Sequence, residues 1–250
     1  MFPKKISLYH YSICVICDIS GLVLVYNDLM NAVAEITERR LDGSAWLRPQ
    51  PWLAPAPGQY VLASPLDLPS TLPEPLFLSE LGKETWLADS LPPAWQPGMR
   101  LALRGPLGHG FILPPAARRV GLAALDVPAA RLLPLAELAL QQELAVALIA
   151  PQIPPDLPSA LEVLPMDALP ELVAWADTLA LDLPLASLEG LRGRLGLDPA
   201  ARPTANIELL VRVPMPCGGV GECGLCAVPV KKGWKHACTA GPVFDFDELF

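Results

Sequence analysis

Residues 33–40 alternate apolar and polar side chains, a period of two that predicts a half-buried strand. Short runs at 58–63, 75–79 and 100–104 read the same way, each bounded by proline or glycine. Together they predict an all-β unit of roughly eighty residues. From residue 119 the pattern changes. Apolar runs at 119–125, 144–150 and 161–164 alternate with helical spacing over 128–142 and 167–180. Asp126 and Asp167 stand where N-caps are expected, with Pro128 and Pro170 in the first turns. Such alternation predicts a small parallel sheet with helices on its faces. The chain divides on this reading into an extension (1–32), a β-barrel (33–114), an α/β unit (115–205) and a cysteine-bearing C-terminal unit (206–250).

Composition sharpens that picture in three places. Apolar residues make up 52% and charged ones 18% of the 250 residues, so there is apolar surface for a large core and a subunit interface. Net charge is −8 and the basic residues form no long cluster, which argues against a nucleic-acid partner. The 30 prolines fall mostly between apolar runs, as punctuation of short elements.

Four of the six cysteines lie in the last part of the chain. Cys217, Cys223, Cys226 and Cys238 are separated by five, two and eleven residues. That spacing is one residue from the Cys-x4-Cys-x2-Cys…Cys run that holds a plant-type 2Fe-2S cluster. Iron is bound by thiolate, and the finished cluster carries negative charge on its sulfurs, so backbone N–H groups must turn toward it. Gly218, Gly219, Gly221 and Gly224 suit that need, because glycine takes positive φ at no steric cost and lets the chain pass close. A four-thiolate zinc site is the alternative. Structural zinc usually draws two close cysteine pairs, whereas here three ligands share one glycine-rich loop. His236 and Glu222 read as groups near the site rather than ligands.

The cluster loop, with Pro214-Met-Pro ahead of it and Cys238-Thr-Ala-Gly-Pro-Val-Phe-Asp245 behind, resembles the C-terminal iron-sulfur domain of the electron-transfer subunit of type B (NAD-linked) dihydroorotate dehydrogenase. Members carry four residues between the first two cysteines; this chain has five and must bulge by one. The resemblance implies an α+β multidomain, ferredoxin-reductase-like fold: an antiparallel barrel for FAD, a small parallel α/β domain for NAD, then the 2Fe-2S domain. Pro57-Gly58-Gln59-Tyr60-Val61, Gly82-Lys-Glu-Thr85 and Gly105-Pro-Leu-Gly-His109-Gly-Phe111 match family motifs, with Tyr60 where members carry phenylalanine and His109 where they carry asparagine. By that match Gly58, Gln59, Gly82 and Thr85 would face FAD. His109 is expected to cap a turn.

Other family signatures are missing. The Arg-Pro-x-Ser segment that pairs with the FAD pyrophosphate has as its nearest counterpart Glu74-Pro75-Leu76-Phe77, and no lysine or arginine occurs from Pro49 to Gly82. Glu84 replaces a glycine of the second phosphate-facing motif. Where the family carries a glycine-rich dinucleotide turn, this chain has Ala123-Ala-Leu-Asp126-Val. FAD in the family manner and NAD are therefore not expected. Trp175 reads as core or interface rather than a stacking ring.

The expected function is that of a cytoplasmic 2Fe-2S electron-transfer subunit. It would pass electrons between another carrier and a flavin-containing catalytic subunit, resembling that of dihydroorotate dehydrogenase, in a hetero-oligomer. Two other functions stay open on the residues alone: a complete FAD/NAD-linked reductase with atypical contacts, and a non-redox subunit with structural zinc. The first residues resemble a signal peptide, yet they are too short and broken for a membrane span. Folded export of a cluster protein would use a twin-arginine signal, and the first arginine is Arg39. The preferred reading is an extension ahead of the family-like body. Cys14 and Cys17 within it read as buried thiols.

Overall fold

The computed structural model describes residues 30–67, 72–154, 156–198, 202–217 and 219–250. Its first six strands are β1 (Met30–Arg39), β2 (Ala45–Gln50), β3 (Tyr60–Pro65), β4 (Glu74–Leu81), β5 (Trp86–Ala88) and β6 (Arg100–Leu107). They close as an antiparallel barrel in the order β1-β2-β5-β4-β3-β6, which leaves no strand edge free for another chain. Ala32, Ala34 and Ile36 of β1 point inward and Glu35 outward, as the alternation predicts. The interior is filled by Ile36, Leu47, Val61, Leu76, Trp86, Leu101 and Leu103. Trp86 satisfies its one polar atom by donating to the Leu53 carbonyl at 2.9 Å.

The second sheet is built from β7 (Arg119–Ala124), β8 (Ala145–Ile149), β9 (Leu161–Leu164), β10 (Thr178–Pro184) and β11 (Asn206–Arg212), all parallel. Beyond β11 the chain forms the hairpin β12 (Ala227–Val230) and β13 (Gly233–His236), then β14 (Val243–Asp245). The sheet order is β14-β11-β10-β7-β8-β9, with β14 antiparallel to β11. Helices α1 (Leu133–Gln141) and α2 (Leu169–Trp175) pack on it; α3 (Leu191–Arg194), α4 (Ala237–Ala240) and α5 (Phe246–Leu249) are single turns.

Three expectations are corrected by this arrangement. The helix expected over 167–180 ends at Trp175, and the apolar residues that follow form β10, whose Leu179, Leu181 and Leu183 are fully buried. A strand covered on both faces reads as a continuous apolar run, which periodicity does not separate from a buried helix. The boundary expected between 205 and 206 falls inside the sheet, because β11 is its fifth parallel strand and β14 its far edge. Neither Asp126 nor Asp167 caps a helix: Asp126 has φ +63°, and Asp167 lies in a short turn without a capping bond. Among the described residues no helix is long and apolar enough to cross a membrane.

Candidate metal centre

The four C-terminal cysteines are brought together by two short loops. Cys217, Cys223 and Cys226 follow β11 on the glycine-rich loop, and Cys238 opens from α4 just after the β12–β13 hairpin. Val228 and Ala237, both fully buried, seat the hairpin in the core, while Lys235 pairs with Glu248 at 2.6 Å and ties it to α5. Gly219, Gly221 and Gly224 all have positive φ, at +75°, +76° and +73°. A side chain on the first two would also crowd Tyr60 or Thr239, so the loop needs glycine there for conformation and for space. Gly218 lies outside the described residues.

The thiols gather in pairs. Cys226 and Cys238, buried, have their sulfurs 3.3 Å apart, and the Cys217 and Cys223 side chains are in hydrogen-bond contact with each other. All four are free thiols. The Gly221 N–H donates to the Cys217 sulfur, joined by those of Val220 and Cys223, and lowers that thiol to about 6. Burial, followed by the neighbouring Cys226, pushes the Cys238 thiol up to about 12. Among the described residues no three His, Cys, Asp or Glu side chains converge on one ion position. Two thiol pairs with backbone donors aimed at sulfur fit a two-iron cluster better than one tetrahedral zinc, which needs all four donors around a point. His236 stands beside the loop, its Nδ1 3.7 Å from where a Cβ on Gly221 would lie, and Glu222 is exposed.

The first and third barrel motifs pack against the turn and strand that follow Cys238, while the second closes a turn beside a separate cleft. A Cβ on Gly58 would lie 2.7 Å from the Val243 side chain, so this glycine is packed onto β14. The Gln59 amide is spent on the Gly108 carbonyl at 3.1 Å and on the Ala56 N–H. Gly82 donates to the Thr85 carbonyl at 2.8 Å, closing the turn between β4 and β5. His109 does not cap a turn with its side chain; its backbone N–H donates to the Gly241 carbonyl.

Along the seam where β4 of the barrel packs on α1 and the turn before it, the residues do not fit a flavin. On β4, in the segment that corresponds to the family's phosphate-binding stretch, the Phe77 ring lies under the Arg131 guanidinium at 3.8 Å. Arg131 also pairs with Asp89 at 2.7 Å, and both side chains are largely buried, at 14% and 5% exposure. Tyr60 also tilts against Phe77, ring centres 5.8 Å apart. The seam is thus filled by an ion pair and two rings. A cleft of about 500 Å³ remains beside Gly82, where Lys83 is the one cation and Glu137 opposes it.

At the carboxyl ends of β7 and β10, where strand order reverses and dinucleotides enter such sheets, two carboxylates are paired with arginines. Asp126 takes bonds from Arg194 at 2.7 Å and Ser187 at 2.8 Å. Asp182, fully buried, is held by Arg212 through two bonds of 2.7 and 2.6 Å, and Arg212 donates on to the Pro128 carbonyl. A carboxylate closes each strand end where a pyrophosphate would need donors. Trp175 is half-buried against the core, with Arg119 6.0 Å from its ring. Cys14 and Cys17, and the signal-like residues around them, lie outside the described residues.

Residues 214–250 match the family model of the iron-sulfur cluster binding domain of dihydroorotate dehydrogenase B. Over 31 residues the chain is 58% identical to proteins of Thermotoga petrophila and Thermotoga maritima named dihydroorotate dehydrogenase B (NAD(+)), electron transfer subunit. The chain resembles that subunit. The match covers 12% of the chain and spans 14% of the length of these curated relatives. Among solved structures, a chain of NADH-dependent reduced ferredoxin-NADP oxidoreductase superposes with a TM-score of 0.67 at 18% identity, over 87% of this chain and 89% of that one. Phthalate dioxygenase reductase superposes at 0.54 with 12% identity, over 89% and 97%. At these identities the likeness is one of fold, and the fold is ferredoxin-reductase-like.

Proposed function

We propose that this chain is a 2Fe-2S electron-transfer subunit without its own hydride chemistry, working against a flavin-containing catalytic subunit that resembles dihydroorotate dehydrogenase. The observation that carries the reading is the pairing of four free thiols on two loops with backbone N–H groups turned toward sulfur. Cys217 and Cys223 would hold one iron, Cys226 and Cys238 the other, and the bound cluster supplies one-electron transfer. The chain's own residues do the rest. Gly219, Gly221 and Gly224 shape the loop, the Gly221, Val220 and Cys223 N–H groups face the Cys217 sulfur, and burial in the core keeps water from Cys226 and Cys238. Cys223 is exposed, so that edge is open to a partner. A cytoplasmic setting suits four unbridged thiols.

Support for the absence of hydride chemistry comes from Arg131, Asp89, Phe77 and Tyr60, packed on one another at the family's phosphate-binding stretch, and from carboxylates at Asp126 and Asp182 where a pyrophosphate would need donors. The expected result is that NADH leaves the visible spectrum of the pure, anaerobic chain unchanged, whereas dithionite bleaches it with about one electron per chain. Bleaching by NADH in the absence of any partner would overturn the reading.

A further inference from the structure

Two of the barrel's family-like motifs meet at the loop that carries the fourth ligand. Tyr60, on β3, donates its phenol hydrogen to the carbonyl of Cys238 at 2.9 Å, with both residues buried. The same oxygen lies 3.1 Å from where a Cβ on Gly219 would stand, so one hydroxyl sits between the two ligand-bearing loops. Around it the contact is tight: a Cβ on Gly108 would lie 2.6 Å from the Gly241 carbonyl oxygen and 3.0 Å from the Tyr60 ring. The His109 N–H completes the clamp on Gly241. Motifs that resemble flavin contacts are therefore spent on holding the Cys238–Gly241 turn.

We propose that Tyr60 is a positioning residue of the cluster, whose hydroxyl fixes the Cys238 loop against the barrel and sets how readily the cluster takes an electron. The inference rests on the 2Fe-2S reading above. An O–H dipole pointing at the backbone of a ligand places partial positive charge near the sulfurs and favours the reduced, more negative form. Without it the buried Cys238 carbonyl loses the Tyr60 donor, and the loop is freer to open.

The test is Y60F, which keeps the ring and removes only the hydroxyl; phenylalanine is the residue that the family motif carries here, so the barrel tolerates it. With wild-type holoprotein and Y60F, the midpoint potential is read by dye-mediated titration and iron release by the rate of transfer to a chelator. The reduced-to-oxidised ratio at fixed poise is expected to fall roughly threefold in Y60F, about 28 mV toward negative potential. Iron release is expected to quicken. Phe77→Leu, which removes the neighbouring ring but leaves the hydroxyl, is expected to keep the wild-type midpoint. Coincident midpoints for wild type and Y60F, both carrying iron, would overturn this inference and leave the cluster reading standing. An equal shift in Phe77→Leu would overturn it too, because packing and not the hydroxyl would then set the potential. A wild-type chain that holds no iron overturns the cluster reading and this inference with it.

Discussion

Cys226→Ser is expected to yield a nearly colourless chain, with iron at least about tenfold below wild type. Cys226 is fully buried, its sulfur 3.3 Å from that of Cys238, so no exposed donor is placed to substitute for it. A serine hydroxyl does not ionise to supply the missing thiolate, and the remaining thiol pair on the outer loop cannot close the site alone. Cluster binding also contributes to folding, because the bound metal ties the two ligand loops together. The variant is therefore expected to melt at a lower temperature than the wild-type holoprotein. Cys14→Ser and Cys17→Ser are the controls and should keep wild-type iron. Iron that survives in Cys226→Ser would mean that the ligand set is misassigned.

The second large effect is expected at the seam. Arg131→Ala should destabilise the chain by about 3–5 kcal/mol, since it strands the Asp89 carboxylate at 5% exposure and uncovers the Phe77 ring. Removing both charges with apolar side chains of similar volume, as in Arg131→Met with Asp89→Leu, should recover most of that loss, because desolvation offsets much of what a buried pair contributes. Denaturant titration of the two single variants and the double variant measures this directly. A loss under about 1 kcal/mol in Arg131→Ala would show that water reaches the seam, and a flavin could then enter it.

The cluster loop was legible because its ligands are local: three of four cysteines and their glycines lie within ten residues, and the chemistry fixes the residue types. The barrel was legible wherever alternation survived, as in β1, and was missed at β2 and β5, which are six and three residues long. The α/β unit misled where both faces are buried. The run that became β10 has no polar face to reveal its period, and β11 went unassigned for the same reason, with Ile207 to Val211 buried. Contacts between distant residues left no local trace. Asp126 looked like a cap by its position, yet it turns into a left-handed conformation and meets Arg194, 68 residues away. Tyr60 and Cys238 are 178 residues apart, so one substituted ring in a motif gave no hint that its hydroxyl belongs to the cluster loop. The closure of the flavin seam was visible only as missing cations; that Arg131 fills it is a property of the fold.

The most direct measurement is the iron, zinc and flavin content of protein purified without oxygen. The expected result is about two irons per chain, with neither zinc nor flavin in stoichiometric amount. About one zinc per chain in place of iron, or about one flavin beside the cluster, would contradict it: the first at the ligand loops, the second at the seam between Phe77 and Arg131.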